Sequence, residues 1–320
     1  MPAITANGAR FHVQRLEPSP SSGAPLGAAY GGGAPTVVFV HGLVTDNLSS
    51  FYYTLAAPVV SAGVRALLYD LRGHGKSERT PRGYTTAGGA DDLCGLLDAL
   101  DITEPVYLVG NSYGGLVAAR TAITAPERVA GLVLIEANCA GPGAASWLED
   151  MLNTLTVAAL SLEYEETGQR LRAAGQRKMA RMALAADSLL NGTSIIDDLS
   201  AERPLDASEL ARISCPVLGV YGEESELVGG AQDLIKYVPD CRVEIMPGLA
   251  HTVLREATEP LRDLILGWLS GASLGAPSVP GTPEVSAVPS APAVPAGAAT
   301  VSGAPAVSEA PAFSAAGAAA

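Results

Sequence analysis

Val106-Tyr-Leu-Val-Gly110-Asn111-Ser112-Tyr113-Gly114-Gly115-Leu-Val-Ala-Ala119 is the stretch on which the reading of this chain turns. Its opening four residues are a short apolar run of the kind that forms a buried strand, and from Leu116 onward the residues suit a helix. A serine stands on the turn between them, with glycine two positions before it and two positions after it. A strand that passes into a helix through so tight a turn holds the serine in a strained backbone conformation and leaves room for only the smallest neighbours. Its Oγ is then lifted over the C-terminal edge of the sheet, where open α/β sheets place their ligands. The helix behind it directs the positive end of its dipole at any oxyanion formed there. Ser112 is therefore read as a nucleophile; a serine that merely caps a helix leaves the paired Gly110 and Gly114 unexplained.

The pattern repeats on either side. Thr36–Val40, Arg65–Tyr69, Gly131–Ile135, Val217–Tyr221 and Arg242–Met246 are apolar runs like Val106–Val109. Runs without polar alternation mark strands covered on both faces of a parallel sheet. Helix-like segments separate them: Phe51–Ala62, Thr86–Leu100, Leu116–Ala125, Ala231–Val238 and Ala257–Leu269. This alternation predicts an α/β fold with right-handed crossovers and a mostly parallel, doubly wound sheet. Residues 140–212 break the rhythm, carrying no strand signal and reading as helices such as Ala144–Leu160 and Gly168–Leu190. They are expected to form a helical cap inserted after the strand ending at Ile135.

The domain is expected over residues 1–270. From Gly271 to Ala320 the chain is almost wholly Ala, Pro, Gly, Ser and Val, with Glu284 and Glu309 as its only charges. Such a segment cannot bury enough surface to offset its ordering entropy, so a disordered tail is predicted. Pro18 to Pro35, rich in Gly, Pro and Ser, reads as a loop between an N-terminal strand and the main sheet.

Over the whole chain, 48% hydrophobic and 17% charged residues suffice for a large core, and 33 Asp+Glu against 20 Lys+Arg give a net charge of −13. That excess argues against nucleic acid or an anionic membrane as a partner held by general electrostatics. No apolar run approaches the roughly 18–20 residues of a membrane span. The opening Met-Pro-Ala-Ile-Thr-Ala-Asn-Gly lacks the basic-then-apolar order of a signal peptide. Cys94, Cys139, Cys215 and Cys241 are scattered without metal-ligand spacing, which predicts free thiols in a reducing cytoplasm and no metal or other cofactor.

Three motifs, in order and spacing, resemble the α/β-hydrolase family over residues 5–270. Val38-Phe-Val-His41-Gly42-Leu43 resembles its strand and HG loop, Tyr69-Asp70-Leu71-Arg72-Gly73-His74-Gly75-Lys76-Ser77 its R-G-x-G-x-S loop, and Gly110–Gly114 its nucleophile elbow. The resemblance implies the triad order Ser, acid, His. Of His12, His41, His74 and His251, only His251 follows Ser112, in the loop after the last strand. It is read as the general base that takes the Ser112 proton and returns it to the leaving group. His41 and His74 are read as structural, each fixing a loop. The resemblance also implies an oxyanion hole built from the backbone N–H groups of Leu43 and Tyr113.

The acid departs from the common pattern. Family members usually place an aspartate in a G-x-x-D string after the seventh strand, where this chain reads Gly222-Glu223-Glu224-Ser225-Glu226. Ser225 cannot balance an imidazolium by charge. Glu136, at the end of the strand that follows the elbow helix, occupies a second position used in the fold and is the preferred acid. Glu224, Glu226 or no dedicated acid are the alternatives. A serine nucleophile excludes the aspartate-based dehalogenases and epoxide-opening enzymes of the fold, which leaves acyl transfer. An ester or thioester hydrolase is the preferred reading, and the acid placement and Ala/Pro tail resemble stand-alone thioesterases of antibiotic-type polyketide biosynthesis. A small-molecule or carrier-bound acyl substrate would then be the partner, with Met151, Met179 and Met182 of the cap suited to an apolar acyl chain. A carbon–carbon bond hydrolase of aromatic degradation and a non-catalytic ligand receptor on the same fold are the alternatives.

Overall fold

The computed structural model describes residues 3–19, 34–164 and 167–273. Strands β1 (Ile4–Ala6) and β2 (Ala9–Phe11) form a separate hairpin. Asn7 (φ 42°) and Gly8 (φ 73°) make its two-residue turn, since both residues tolerate the left-handed backbone that such a turn requires. The sequence predicts a single N-terminal strand, where the structure has this hairpin and then β3 (Val13–Leu16). The main sheet contains β3 (Val13–Leu16), β4 (Thr36–Val40), β5 (Arg65–Tyr69), β6 (Val106–Asn111), β7 (Val129–Ile135), β8 (Val217–Gly222) and β9 (Cys241–Met246), in the order β3-β5-β4-β6-β7-β8-β9. β3 runs antiparallel to β5 and every other pair is parallel. All six predicted strands are present.

The layers follow from the two-residue period of the strands. In β4, Val37 and Phe39 face one layer while Val38 and Val40 face the other, and all four are buried. The first layer holds α1, helical residues 49–61 with a π-helical stretch at Tyr52–Ala56, α10 (Val253–Glu256) and α11 (Thr258–Ser273). The second holds α2 (Thr86–Ala99), α3 (Tyr113–Thr124) and α9 (Gly230–Tyr237). Leu93, Leu96 and Leu97 of α2 are fully buried, each contributing about 1.5–3 kcal/mol of apolar burial. α11 runs past the predicted end at Leu269, which is itself buried.

Between β7 and β8 come α4 (Gly141–Tyr164), α5 (Thr167–Ala173), α6 (Arg177–Leu190), α7 (Ile195–Ser200) and α8 (Ala207–Leu210). The single run expected over Gly168–Leu190 is two helices, because Gly175 adopts φ +77° between them. Side chains from this interval cap the entry to α2: Asp198 Oδ2 accepts the Tyr84 N–H at 2.8 Å and Glu202 Oε1 accepts the Thr86 N–H at 2.5 Å. Carboxylates there meet unpaired amides and the positive end of the helix dipole. Among the described residues no helix is long and apolar enough to cross a membrane. The four cysteines are free, with Cys139 and Cys215 buried. Most of the predicted tail, and most of the Pro18 to Pro35 loop, lie outside the described residues.

Candidate active site

Ser112 stands between β6 and α3 with φ 53° and ψ −122°, a conformation that costs a non-glycine residue free energy and needs the surrounding structure to hold it. The packing shows what holds it. A Cβ on Gly110 would lie 2.5 Å from the Gly114 carbonyl oxygen, and one on Gly114 would lie 2.1 Å from the Val40 carbonyl oxygen. Neither position admits any side chain, which is the reason given for both glycines from sequence. The Ser112 N–H donates to the Ile135 carbonyl at 2.8 Å, fastening the turn to the end of β7. Tyr113 begins α3, so its N–H has no intrahelical acceptor.

On the neighbouring strand end, the Gly42 N–H is taken by Asp46 Oδ2 at 2.8 Å, whereas the Leu43 N–H has no partner among the described residues. The two histidines of these loops are fully engaged with main chain. His41 Nδ1 lies 2.7 Å from the Gly42 carbonyl and its Nε2 accepts the Leu71 N–H at 2.9 Å. His74 Nδ1 lies 2.8 Å from the Arg72 carbonyl and its Nε2 accepts the Val44 N–H at 2.9 Å. Each ring is therefore a neutral Nδ1–H tautomer. Burial lowers the pKa of His41, and burial with the neighbouring His41 ring brings His74 to about 3. Val44, held by His74, carries φ 60°, an unusual backbone for a β-branched residue, immediately after Leu43.

Glu136 follows β7 as Ser112 follows β6, and it shares the left-handed backbone, with φ 50°. Its side chain is fully buried. Oε2 lies 3.2 Å from His251 Nδ1 and accepts the Ser225 hydroxyl at 2.5 Å, while Oε1 accepts the Gly222 N–H. His251 is about one-third exposed, at 35% of its side-chain surface. The β8 turn also holds the loop that carries it. The Glu224 N–H donates to the Leu249 carbonyl at 2.8 Å, and Glu223 Oε2 accepts the Gly248 N–H at 3.0 Å. A Cβ on Gly222 would lie 2.2 Å from that same Leu249 carbonyl oxygen, so the close approach requires glycine.

The structure thus brings Glu136 and His251 together and joins the Ser112 turn to the strand that carries Glu136. His251 Nε2 makes no hydrogen bond to Ser112 Oγ, and this is the one link of the three that is open. Glu224 and Glu226 are exposed and neither carboxylate bonds to His251. Sequence reasoning missed the partners of the buried carboxylate, Ser225 and the Gly222 N–H. Ser225 registered only as an absent aspartate.

The family model described as "Alpha/beta hydrolase family" matches residues 37–264, which include the elbow, both histidine loops, Glu136 and His251. The chain belongs to this family. A 2-hydroxy-6-oxononadienedioate/2-hydroxy-6-oxononatrienedioate hydrolase from Cupriavidus pinatubonensis is 27% identical over 267 residues, spanning 75% of this chain and 88% of the relative. Among solved structures, the enol-lactonase from Burkholderia xenovorans superposes with a TM-score of 0.62 at 20% identity, covering 84% of this chain and 100% of that one. A thermophilic esterase from Thermogutta terrifontis gives 0.63 at 20% identity, over 85% of this chain and 98% of that one. At these identities the structural matches establish the fold.

Proposed function

We propose that the protein is a serine hydrolase acting on a carbonyl substrate through an acyl-enzyme, with Ser112 as nucleophile, His251 as base and Glu136 as acid. The observation that carries this reading is the Glu136–His251 contact of 3.2 Å beside the strained Ser112 turn. Ser112 Oγ attacks the carbonyl carbon as its proton passes to His251 Nε2. The carbonyl electron pair moves onto oxygen, which the N–H groups of Leu43 and Tyr113 accommodate. Collapse breaks the bond to the leaving group, which takes the proton from His251. A water deprotonated by His251 then attacks the acyl carbon, and Ser112 departs with that proton. Glu136 keeps Nδ1 protonated and balances the imidazolium throughout. The Ser112–His251 hydrogen bond is expected to close when substrate fills the site, as catalytic contacts tighten in the Michaelis complex.

Esters and thioesters, free or carrier-bound, are the preferred substrates, with helices 141–210 as the cap over the site; the free thiols fit a cytoplasmic setting. A second reading, hydrolysis of a carbon–carbon bond beside a ketone, is favoured by two observations. One is the printed activity of the 27%-identical relative, whose substrate is a dioate. The other is an open groove beside the Leu43 loop, lined by Val44, Tyr52, Lys76, Lys178 and Arg181 together with Asp46 and Asp70, though not by Ser112, Glu136 or His251 themselves. Those three cations make no ion pair among the described residues, in a chain of net charge −13. They suit a substrate that carries carboxylates. Met182, exposed like Met179, lines the same groove, whereas Met179 does not and Met151 packs on the core, so the methionines form no single acyl pocket.

A panel of p-nitrophenyl esters, acyl-coenzyme A thioesters and a 2-hydroxy-6-oxo-dienoate, read by absorbance and product mass, separates these readings. Turnover of at least one class by the parent, and of none by Ser112→Ala, is expected. No turnover of any class by the parent would favour a ligand receptor on this fold.

A further inference from the structure

Ser225 stands where a G-x-x-D string would put the family's usual aspartate, yet it is buried at 4% exposure and touches the acid itself. Its hydroxyl has two neighbours. The Leu227 N–H donates to Oγ at 3.1 Å, and Oγ lies 2.5 Å from Glu136 Oε2. A hydroxyl carries one proton. Because the Leu227 amide already supplies its own, the Ser225 proton is directed at Glu136. The oxygen that receives it is the one facing His251 Nδ1.

Glu136 thereby gains what a fully buried carboxylate requires. The Gly222 N–H occupies Oε1, and Ser225 and His251 share Oε2. Without such partners a buried carboxylate is costly, and its side chain would rotate to seek others. Gly222 and Ser225 belong to the turn that also tethers the His251 loop through Glu223 and Glu224. One turn therefore sets the acid and the base against each other. An aspartate at 225 would instead press a second negative charge on Oε2.

We infer that Ser225 is a positioning residue for the acid: its hydroxyl orients Glu136 Oε2 towards His251 and shares that oxygen's negative charge. This inference rests on the triad reading given under Proposed function. Sharing the charge weakens the carboxylate's hold on the imidazolium. Removing the hydroxyl therefore leaves Glu136 less well oriented, so the rate falls, and leaves its charge less shared, so it holds the imidazolium more tightly.

The test is kinetic, using the full chain with p-nitrophenyl butyrate, or with whichever ester of the panel is turned over. Ser225→Ala should lower kcat by roughly ten- to hundredfold, the range for a hydrogen bond to a charged group, with little change in KM. The acid limb of the kcat/KM profile, which reports the base, should move to higher pH, and Ser225→Thr should recover most of the rate. In a Glu136→Gln background the same Ser225→Ala change should have little further effect, because the charge it acts on is gone. A lowered melting temperature with an unmoved acid limb would overturn the proposal and make Ser225 a turn residue through Leu227. Equal losses in both backgrounds would overturn it as well. Failure of the triad reading is separately visible: Glu136→Gln alone would then retain the parent kcat, whatever Ser225 does.

Discussion

The loops that carry His41 and His74 and the loop that carries His251 use one side chain in two ways. His41 and His74 are buried, and both nitrogens of each ring bond to main chain. His251 is partly exposed, with Nδ1 on a buried carboxylate and Nε2 unspent among the described residues. A histidine whose nitrogens are both occupied by the backbone can shape a loop but cannot carry a proton to and fro. One anchored through a single nitrogen keeps the other for chemistry. Position in the chain separates these histidines, and the fate of the second nitrogen gives the separation its physical meaning.

Two substitutions would sharpen that contrast at its largest. His251→Ala should cost about four to six decades in kcat while leaving the melting temperature close to the parent's, since the ring supports no main-chain group. Glu136→Gln should cost roughly two to four decades, because the amide can accept from His251 but cannot balance the imidazolium. Glu224→Gln and Glu226→Gln should each stay within a few fold of the parent, as exposed carboxylates do. Steady-state rates on one ester, beside thermal melts, are sufficient. A Glu224 or Glu226 variant that loses as much as Glu136→Gln would move the acid to the β8 turn.

The smaller effect lies on the other side of the comparison and is read in stability. Burial holds His74 at about 3 and lowers His41, so both rings stay neutral in the folded state where the unfolded chain, with histidine near 6.5, takes up protons. Between about pH 6.5 and 3 the unfolded state therefore binds more protons. The His74 contribution is complete above about pH 6.5 and is lost progressively as the pH falls through that window, and the lowered His41 acts in the same direction. Urea midpoints at pH 8 and pH 5 should show the parent weakening on acidification. His74→Asn, less stable at pH 8, should weaken with a slope shallower by up to about one proton. An unchanged slope would mean that His74 is not held neutral by the fold.

Much of this was legible in the sequence where one short-range constraint decides the outcome. Five of the six predicted strands are runs buried on both faces, while the sixth, β9 at the sheet edge, is only partly covered, and the elbow declares itself because Gly110 and Gly114 meet backbone that no side chain could clear. The β1–β2 hairpin was missed because its strands are three residues each and its only signal is Asn7-Gly8. The break at Gly175 was missed because the flanking residues are good helix formers on both sides. The site was readable one residue at a time and unreadable as a set of contacts. Glu136 follows from strand order, but its bond to Ser225 joins residues 89 apart in sequence. The Glu223–Gly248 tether is a tertiary contact of the same kind. Nothing in a lone serine announces that its proton is committed to a carboxylate.

The most direct test of the central claim is covalent labelling by a fluorophosphonate, mapped by mass spectrometry in the parent and in Glu136→Gln. The probe reacts only with a serine activated by a base beside oxyanion donors. The account predicts a single adduct, on the peptide containing Ser112, forming at least about tenfold more slowly in Glu136→Gln. An adduct on another residue, or no adduct on a folded parent, would contradict it.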